Sequence, residues 1–151
     1  MKARMLSIIF TASLLAQLQF GQTLPKPVRR YLDRNFSGWK LAGECFEKAN
    51  TRILVGDFDG NKSRDYVVKF ARGDKGFMMA FLASHSGYKP FYLHLYSAKE
   101  AKGSDLLLVK RGETFEMSLP GKLNNDAPAD FLCESDSGGI HVYRNGKFIA
   151  Y

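Results

Sequence analysis

The feature that most constrains this chain is an almost unbroken series of strand-forming segments from Thr51 to Tyr151. The segments are rich in β-branched and aromatic residues, and short glycine-containing turns separate them. One of these turns, Asn145-Gly146, is the strongest short signal for a two-residue β-hairpin. Because strands joined by such short turns pair in antiparallel fashion, the pattern predicts a meandering antiparallel sheet.

One short helix is expected ahead of the strands. Pro27 suits a first helical turn, and Ser37-Gly38 suits the end of the helix. Between them the apolar residues recur at helical spacing, at Val28, Tyr31, Leu32 and Phe36. The sequence therefore predicts an α+β domain, with this helix packed on a mainly antiparallel, meandering sheet of about 7–9 strands. A small β-sandwich or a half-open barrel is the alternative.

Two segments in the β region carry more specific expectations. The nearly continuous apolar run "FMMAFLASH" predicts a central strand that is covered on both faces. The segment "SAKEAKGSD" predicts a loop or a single helical turn, because Ser97 and Glu100 have the spacing of a capping box.

The first residues have the form of a secretory signal. Lys2 and Arg4 precede an apolar stretch from Met5 to about Ala16, which is too short to span a bilayer. We expect a signal peptide over residues 1–21, a single domain over 22–151, and a periplasmic or extracellular location. No later segment is apolar for long enough to predict a membrane anchor.

The charge of the mature chain argues against one class of partner. Without Lys2 and Arg4, 20 basic residues face 15 acidic ones, so the net charge is about +5. The basic residues are scattered, whereas nucleic-acid binding requires them on one face. We therefore expect a monomer whose partner is a protein, a glycan or a small molecule.

The two cysteines, Cys45 and Cys133, predict a disulfide in an oxidising compartment. In the chain-entropy model, a loop of this length stabilises the fold by about 4 kcal/mol. Two buried thiols or a redox couple are the alternatives, and no C-x-x-C spacing favours the second.

The segment "VGDFDGNKSRDYVV" places oxygen-bearing side chains at alternate positions between two strand-forming runs. Numbered from Asp57 as position 1, the odd positions 1, 3, 5 and 9 are Asp57, Asp59, Asn61 and Asp65. Ser63 stands at position 7. Ca²⁺ takes six to eight oxygen ligands, so the spacing predicts a calcium site. An EF-hand is excluded because Lys62 stands at position 6, where it requires glycine, and Val68 stands at position 12, where it requires glutamate.

The segment "LVGDFDGNKSRDYVVKF" resembles the calcium hairpin of FG-GAP/VCBS-type repeats, in which aspartate and asparagine ligands bind calcium between two antiparallel strands. The matching residues are Gly56, Asp57, Phe58, Asp59, Gly60, Asn61, Asp65 and Tyr66. The resemblance implies side-chain ligands at Asp57, Asp59, Asn61 and Asp65 and a carbonyl ligand at Ser63. It occurs once and covers about 17 residues, so it does not imply a propeller of several blades.

Two other interpretations of this loop stay open. One is a metal-free hairpin turn held by Asx side-chain bonds, with Lys62 and Arg64 neutralising the aspartates. The other is a different cation.

The aromatic and histidine residues provide a second set of candidates. Tyr92, His94 and Tyr96 alternate along one predicted strand, so they are expected to share a sheet face that binds a ligand or forms core. The histidines at 85, 94 and 141 are far apart, and their spacing predicts no cluster. The glycines of "SDSGG", at residues 135–139, are explained by a turn between strands.

From these observations we expect an exported binding or interaction domain with a calcium-stabilised hairpin and no catalysis of its own. One alternative is an inhibitor of a secreted hydrolase that inserts an exposed loop, such as "SAKEAKGSD" or "SDSGG". Another is a small hydrolase that uses the scattered histidine and acidic residues. No paired catalytic carboxylates and no phosphate-binding glycine loop are present in the sequence.

Overall fold

The computed structural model describes residues 23–43, 52–114, 121–133 and 137–151. The helices are α1 (Lys26–Asn35) and α2 (Ala98–Lys102). The strands are β1 (Lys40–Leu41), β2 (Ile53–Gly56), β3 (Asp65–Arg72), β4 (Lys75–Ser84), β5 (Gly87–Ser97), β6 (Ser104–Val109), β7 (Ala127–Leu132), β8 (Gly138–Arg144) and β9 (Lys147–Ala150). The predicted signal peptide and Cys45 lie outside the described residues.

The nine described strands form two antiparallel sheets. In the first sheet β3, β4 and β5 follow one another as a meander, and β1 and β2 pair with different parts of the same strand, β3. The second sheet has the order β6-β7-β8-β9. The prediction of a mainly antiparallel α+β fold with a short helix on a sheet is confirmed at this level. The strands are divided between two sheets, however, and do not form a single one.

Helix α1 covers one face of the first sheet. Its buried residues Val28 and Leu32, together with Phe36 just beyond it, pack against Tyr66, Val68, Phe70, Met79 and Phe81. The ring of Phe36 lies 4.9 Å from that of Phe70 and 5.0 Å from that of Phe77, between centroids. These contacts confirm the predicted apolar face of the helix.

The second sheet packs on the opposite face of the first. Strand β4 shows the arrangement most clearly, because Met78, Ala80 and Leu82 point to the second sheet while Met79 and Phe81 point to α1. Its apolar run is continuous because both of its faces are covered, as the sequence predicts.

Strand β5 contains a β-bulge that changes which of its residues share a face. The residues paired across from Met78 and Met79 are His94 and Tyr92, so Leu93 is the extra residue. As a result His94 and Tyr96 turn toward the second sheet, and their rings stack 4.3 Å apart. Tyr92 stays on the side of α1, where its ring lies 6.3 Å from Phe36. The expectation that Tyr92 shares a face with His94 and Tyr96 is therefore wrong.

Helix α2 connects the two sheets. The predicted capping box is present, since the Ser97 hydroxyl accepts the Glu100 N–H and the Glu100 carboxylate accepts the Ser97 N–H. Ala101 is fully buried against Gly76, where a larger residue in place of the glycine would collide with the Ala101 side chain. The segment "SAKEAKGSD" is therefore a connection that is anchored at Ala101, while Lys99, Glu100 and Lys102 stay exposed.

Two observations bear on the expectations about the membrane and the cysteines. No helix among the described residues is long and apolar enough to cross a membrane. The described part of the chain contains no free cysteine thiol. Cys45 lies outside the described residues, so the pairing of Cys45 with Cys133 stays a prediction.

Candidate functional site

The aspartate loop connects β2 and β3 and begins where Gly56 pairs with Asp65. The structure brings three of its predicted ligands together, because carboxylate oxygens of Asp57, Asp59 and Asp65 all lie within 4.8 Å of one another. Phe58, which follows Asp57 in the chain, is fully buried and anchors the loop in the core between the sheets.

Asx turns shape the exposed part of the loop. Asp59 Oδ1 accepts the Asn61 N–H at 3.1 Å, and Asn61 Oδ1 accepts the Ser63 N–H at 2.7 Å. Between them Lys62 adopts a φ of 64°, in the left-handed region that usually takes glycine. Asn61 and Ser63 are exposed, and their hydrogen bonds are those expected of an Asx-stabilised turn, so their role as calcium ligands stays a prediction.

Asp65 is the most buried acid of the loop, with no exposed surface. Its carboxylate accepts the Phe58 N–H at 2.8 Å and the Ala83 N–H at 2.7 Å. Burial raises the pKa of Asp65 to about 6, the two backbone hydrogen bonds oppose this, and the charges of Asp59 and Asp57 add to it. The ionised form of Asp65 is therefore poorly stabilised by the protein alone.

The loop lacks a positive partner within the described part of the chain. Asp57 Oδ1 is buried and accepts no hydrogen bond from any described residue. Neither Lys62 nor Arg64, both exposed, forms an ion pair with the three carboxylates in this part of the structure. The neutralisation that the metal-free interpretation expects from these two residues is not seen.

Two residues that the sequence did not indicate connect the loop to the second sheet. Asp126 accepts the Asp57 N–H at 3.2 Å and donates its own N–H to the Asp57 carbonyl at 3.1 Å. The Asn125 amide donates to the Phe58 carbonyl at 3.4 Å. In the sequence they belong to a turn-rich segment before β7, and nothing in that pattern gives their distance from Asp57.

A second cluster lies where β5 of the first sheet meets β7 and β8 of the second. His94, Asp130 and His141 each place one potential ligand atom within 4.8 Å of the others. His141 Nε2 lies 3.2 Å from Asp130 Oδ1, and the Tyr96 hydroxyl donates to Asp130 Oδ2 at 2.6 Å. Burial favours the neutral acid, but the hydrogen bonds from His141 and Tyr96 and the nearby histidines outweigh it, so the pKa of Asp130 is lowered.

A cavity of about 280 Å³ opens beside this cluster and is lined by all four of these side chains. Ser137, Gly138 and Gly139 form part of its wall. A Cβ on Gly138 would collide with the Asp130 carbonyl, so the close approach of β7 and β8 explains this glycine, which lies in β8 and not in the turn that the sequence suggested. His85 lies in the β4–β5 turn and takes no part in the cluster.

A buried polar group lies deeper between the sheets. Lys69 is fully buried and donates to the carbonyl and the hydroxyl of Ser104, the latter at 2.6 Å. Burial lowers the pKa of Lys69 to about 8, and the charges of Asp105 and Asp130 oppose this effect. Asp105 is also fully buried, and neither of its carboxylate oxygens has a hydrogen-bond partner among the described residues.

A groove of about 400 Å³ lies between α1 and the turn that joins β4 to β5. Arg30, Arg34, Tyr31 and Tyr88 are among its lining residues. Tyrosine and arginine are enriched in binding surfaces, so the groove offers a concave surface to a partner.

Comparison with known proteins returns no family-model match, no match among curated proteins and no match among solved structures. The likeness of the loop to an FG-GAP/VCBS-type hairpin stays a prediction.

Proposed function

We propose that this protein is an exported binding domain, without catalysis of its own, whose β2–β3 hairpin is stabilised by a bound calcium ion. One observation carries the calcium part of the proposal. The loop gathers Asp57, Asp59 and Asp65 within 4.8 Å, and it does so with no cationic side chain paired to them among the described residues. A cation placed among them supplies the missing charge.

The chemistry of the loop favours calcium over softer metals. The carboxylates and the Asn61 and Ser63 oxygens form an all-oxygen set, which suits a hard cation and not a thiolate- or imidazole-preferring one. The loop is open to solvent at Asp59 and Asn61, so water can complete a coordination sphere of six to eight oxygens. We expect an affinity in the weak extracellular range, with Kd about 10⁻⁴ to 10⁻³ M.

The proposed role of the ion is to fix the position of the two sheets relative to each other. The loop belongs to the first sheet, while Asp126 and Asn125, which bond to Asp57 and Phe58, precede the first residue of β7 in the second. An ion bound to Asp57 fixes both sets of contacts at once. The rigid scaffold then presents a binding surface, for which the groove beside α1 is the candidate.

Thermal unfolding of the mature, oxidised protein tests the proposal. It is measured with EDTA and with about 1, 5 and 20 mM calcium, which bracket the expected affinity. Linkage predicts that 20 mM calcium stabilises the fold by about 2–3 kcal/mol, or roughly 5–15 °C in melting temperature for a domain of this size. Magnesium at the same concentrations should have a smaller effect, because it requires stricter octahedral geometry.

The variant Asp57→Asn provides the decisive comparison, with Asp74→Asn as its control. Asp57→Asn removes one of three clustered charges, so it should unfold at the same or a higher temperature than the natural protein in EDTA and should not respond to calcium. Asp74 is an exposed aspartate in the β3–β4 turn, outside the cluster, and its variant should respond to calcium normally. The proposal fails if 20 mM calcium leaves the melting temperature unchanged, or if all three proteins respond alike.

A further inference from the structure

The cluster of His94, Asp130 and His141 has the donor set of a metal site of a different kind from the aspartate loop. Two imidazole nitrogens and one carboxylate oxygen suit zinc and its neighbours in the first transition series, whereas calcium takes oxygen ligands alone. Three protein ligands with an open position are the arrangement found in zinc sites that bind a water or a substrate.

The distances within the cluster fit this donor set. Bonds of about 2.0–2.2 Å at tetrahedral angles place two ligand atoms of zinc roughly 3.3 Å apart. His141 Nε2 and Asp130 Oδ1 lie 3.2 Å apart, so a shared ion fits between them with little movement. The rings of His94 and His141 lie 6.3 Å apart between centroids, which is about 1 Å more than a shared tetrahedral ion requires.

The side chains differ in their freedom to close that gap. Asp130 and His141 are buried and held in place, and His94 is exposed at the rim of the cavity. His94 is therefore the ligand that moves. Its ring stacks on that of Tyr96, whose hydroxyl donates to Asp130.

A hydrogen bond from Tyr96 orients the Asp130 carboxylate as well. The Tyr96 hydroxyl donates to Asp130 Oδ2 at 2.6 Å, which leaves Oδ1 to face His141. Metal-binding carboxylates are commonly oriented by such a hydrogen bond. The remaining coordination position faces the cavity of about 280 Å³, whose wall includes Ser137 and Gly139.

We propose that His94, Asp130 and His141 form a binding site for a zinc-class divalent ion, with an open coordination position that faces the cavity between β5 and β8. The site is independent of calcium binding in the aspartate loop, since the two clusters share no residue. The open position takes water or a small ligand with an oxygen, nitrogen or sulfur donor.

Cobalt(II) is the probe for the test, because it replaces zinc and reports its own geometry by visible absorption. The mature, oxidised protein is freed of metal with EDTA, dialysed and titrated with cobalt, and zinc is then added in competition. We expect one equivalent of cobalt to give the intense visible bands of a four- or five-coordinate ion, and zinc to remove them.

Four variants identify the side chains that hold the ion. His94→Ala should weaken cobalt and zinc binding by at least about tenfold, and it should fold normally because His94 is exposed. His85→Ala removes an exposed histidine outside the cluster and should bind like the natural protein. Asp57→Asn/Asp59→Asn should also bind normally, which distinguishes this site from the loop. Asp130→Asn tests the carboxylate, with circular dichroism as the check on its fold.

The outcomes are distinct. Loss of the bands in His94→Ala, with binding intact in the His85 and loop variants, supports the site. Absence of bands in the natural protein, or binding that is unchanged in His94→Ala, overturns it, and the cluster is then a hydrogen-bonded Tyr–Asp–His network without metal. Loss of binding in Asp57→Asn/Asp59→Asn alone assigns the ion to the loop and also overturns it.

Discussion

At the scale of single residues, the aspartate loop shows what spacing predicts and what it does not. Alternate oxygen-bearing residues from Asp57 to Asp65 indicated a cluster, and the structure brings the three carboxylates of this segment together. The sequence did not indicate Asp130, because a carboxylate within an apolar strand gives no sign of the histidines that it will meet. His94 and His141 lie 47 positions apart in the chain, and only the packing of the two sheets makes them neighbours.

Gly60 lies against Asn125, which connects the loop to the segment before β7. Substitution of Gly60 therefore measures how much this contact contributes to stability. Gly60 has a φ of 79°, and a Cβ placed on it would lie 2.5 Å from Asn125 Oδ1. Gly38 has the same φ of 79° with nothing within 4 Å, which makes Gly38→Ala a matched control for backbone strain. We expect Gly38→Ala to lower the free energy of unfolding by about 1–2 kcal/mol.

Gly60→Ala should cost about 1 kcal/mol more than Gly38→Ala, because Asn125 must move and lose its hydrogen bond to the Phe58 carbonyl. Urea unfolding of the two variants measures the difference. Equal losses of stability would show that the loop does not depend on Asn125.

Lys69 gives a pH dependence with a definite sign. Its pKa is about 8 in the folded protein, against 10.5 for the unperturbed group, because burial disfavours the ammonium and Asp105 and Asp130 compensate only in part. Between these pH values the unfolded chain binds the proton more tightly, so the contribution of Lys69 to stability rises with pH. It is complete above about 10.5 and is lost as the pH falls through 8.

The comparison with Lys69→Met isolates this contribution, since tyrosine ionisation affects both proteins alike. The free energy of unfolding of the natural protein, minus that of the variant, should increase by up to about 3 kcal/mol from pH 8 to pH 10.5. Chemical denaturation at several pH values measures it. A difference that does not change with pH would mean that the neighbouring aspartates fully compensate the burial of Lys69.

At the scale of elements, local signals predicted the regular parts of the fold. The apolar run of β4, the capping box of α2 and the Asn145-Gly146 turn all appear as expected, and Asn145 and Gly146 have φ values of 51° and 83°. These features depend on a few adjacent residues, which is why the sequence reveals them. The bulge at Leu93 depends on the pairing of β5 with β4, and no local pattern reports it.

Strand β7 contains a proline, which its place in the sheet explains. It runs from Ala127 to Leu132 and includes Pro128. A proline usually argues against a strand. Here β8 pairs only with Ala129 to Phe131, so Pro128 lies where β7 has one neighbour, and a strand tolerates proline at such an edge.

The attachment of α1 to the first sheet predicts a strong effect of a single truncation. Leu32 is fully buried between the helix and the sheet, so Leu32→Ala should lower the free energy of unfolding by about 2–5 kcal/mol. Leu95→Ala is the matched control, because Leu95 is 61% exposed and its loss leaves no cavity. Comparable losses in the two variants would contradict the packing described here.

At the scale of the whole molecule, the sequence predicted the class of fold but favoured a single sheet over the two sheets of the sandwich alternative. From β3 to β6 the strands are joined by short connections, and nothing in their composition marks where one sheet ends. The division occurs at α2, which is anchored by the buried Ala101. This helix leads the chain from β5 in the first sheet to β6 in the second sheet. Both candidate metal sites depend on this packing, since each includes or contacts residues of both sheets.

The predicted disulfide belongs to the same scale. A bond between Cys45 and Cys133 would connect the segment after β1 to the end of β7. Its reduction should lower the free energy of unfolding by about 4 kcal/mol. Peptide mapping by mass spectrometry without reductant identifies the pairing, and finding two free thiols would refute it.

The central claim is that the loop from Asp57 to Asp65 binds calcium and thereby joins the two sheets. The most direct measurement is a calcium titration of the ¹⁵N-labelled mature protein, followed by two-dimensional NMR. We predict saturable shifts of the amide signals of the loop, of Ala83 and of Asn125 and Asp126, which bond to it. Shifts that are absent, or that spread over exposed acidic residues such as Asp33 and Asp74 without saturation, would contradict the claim.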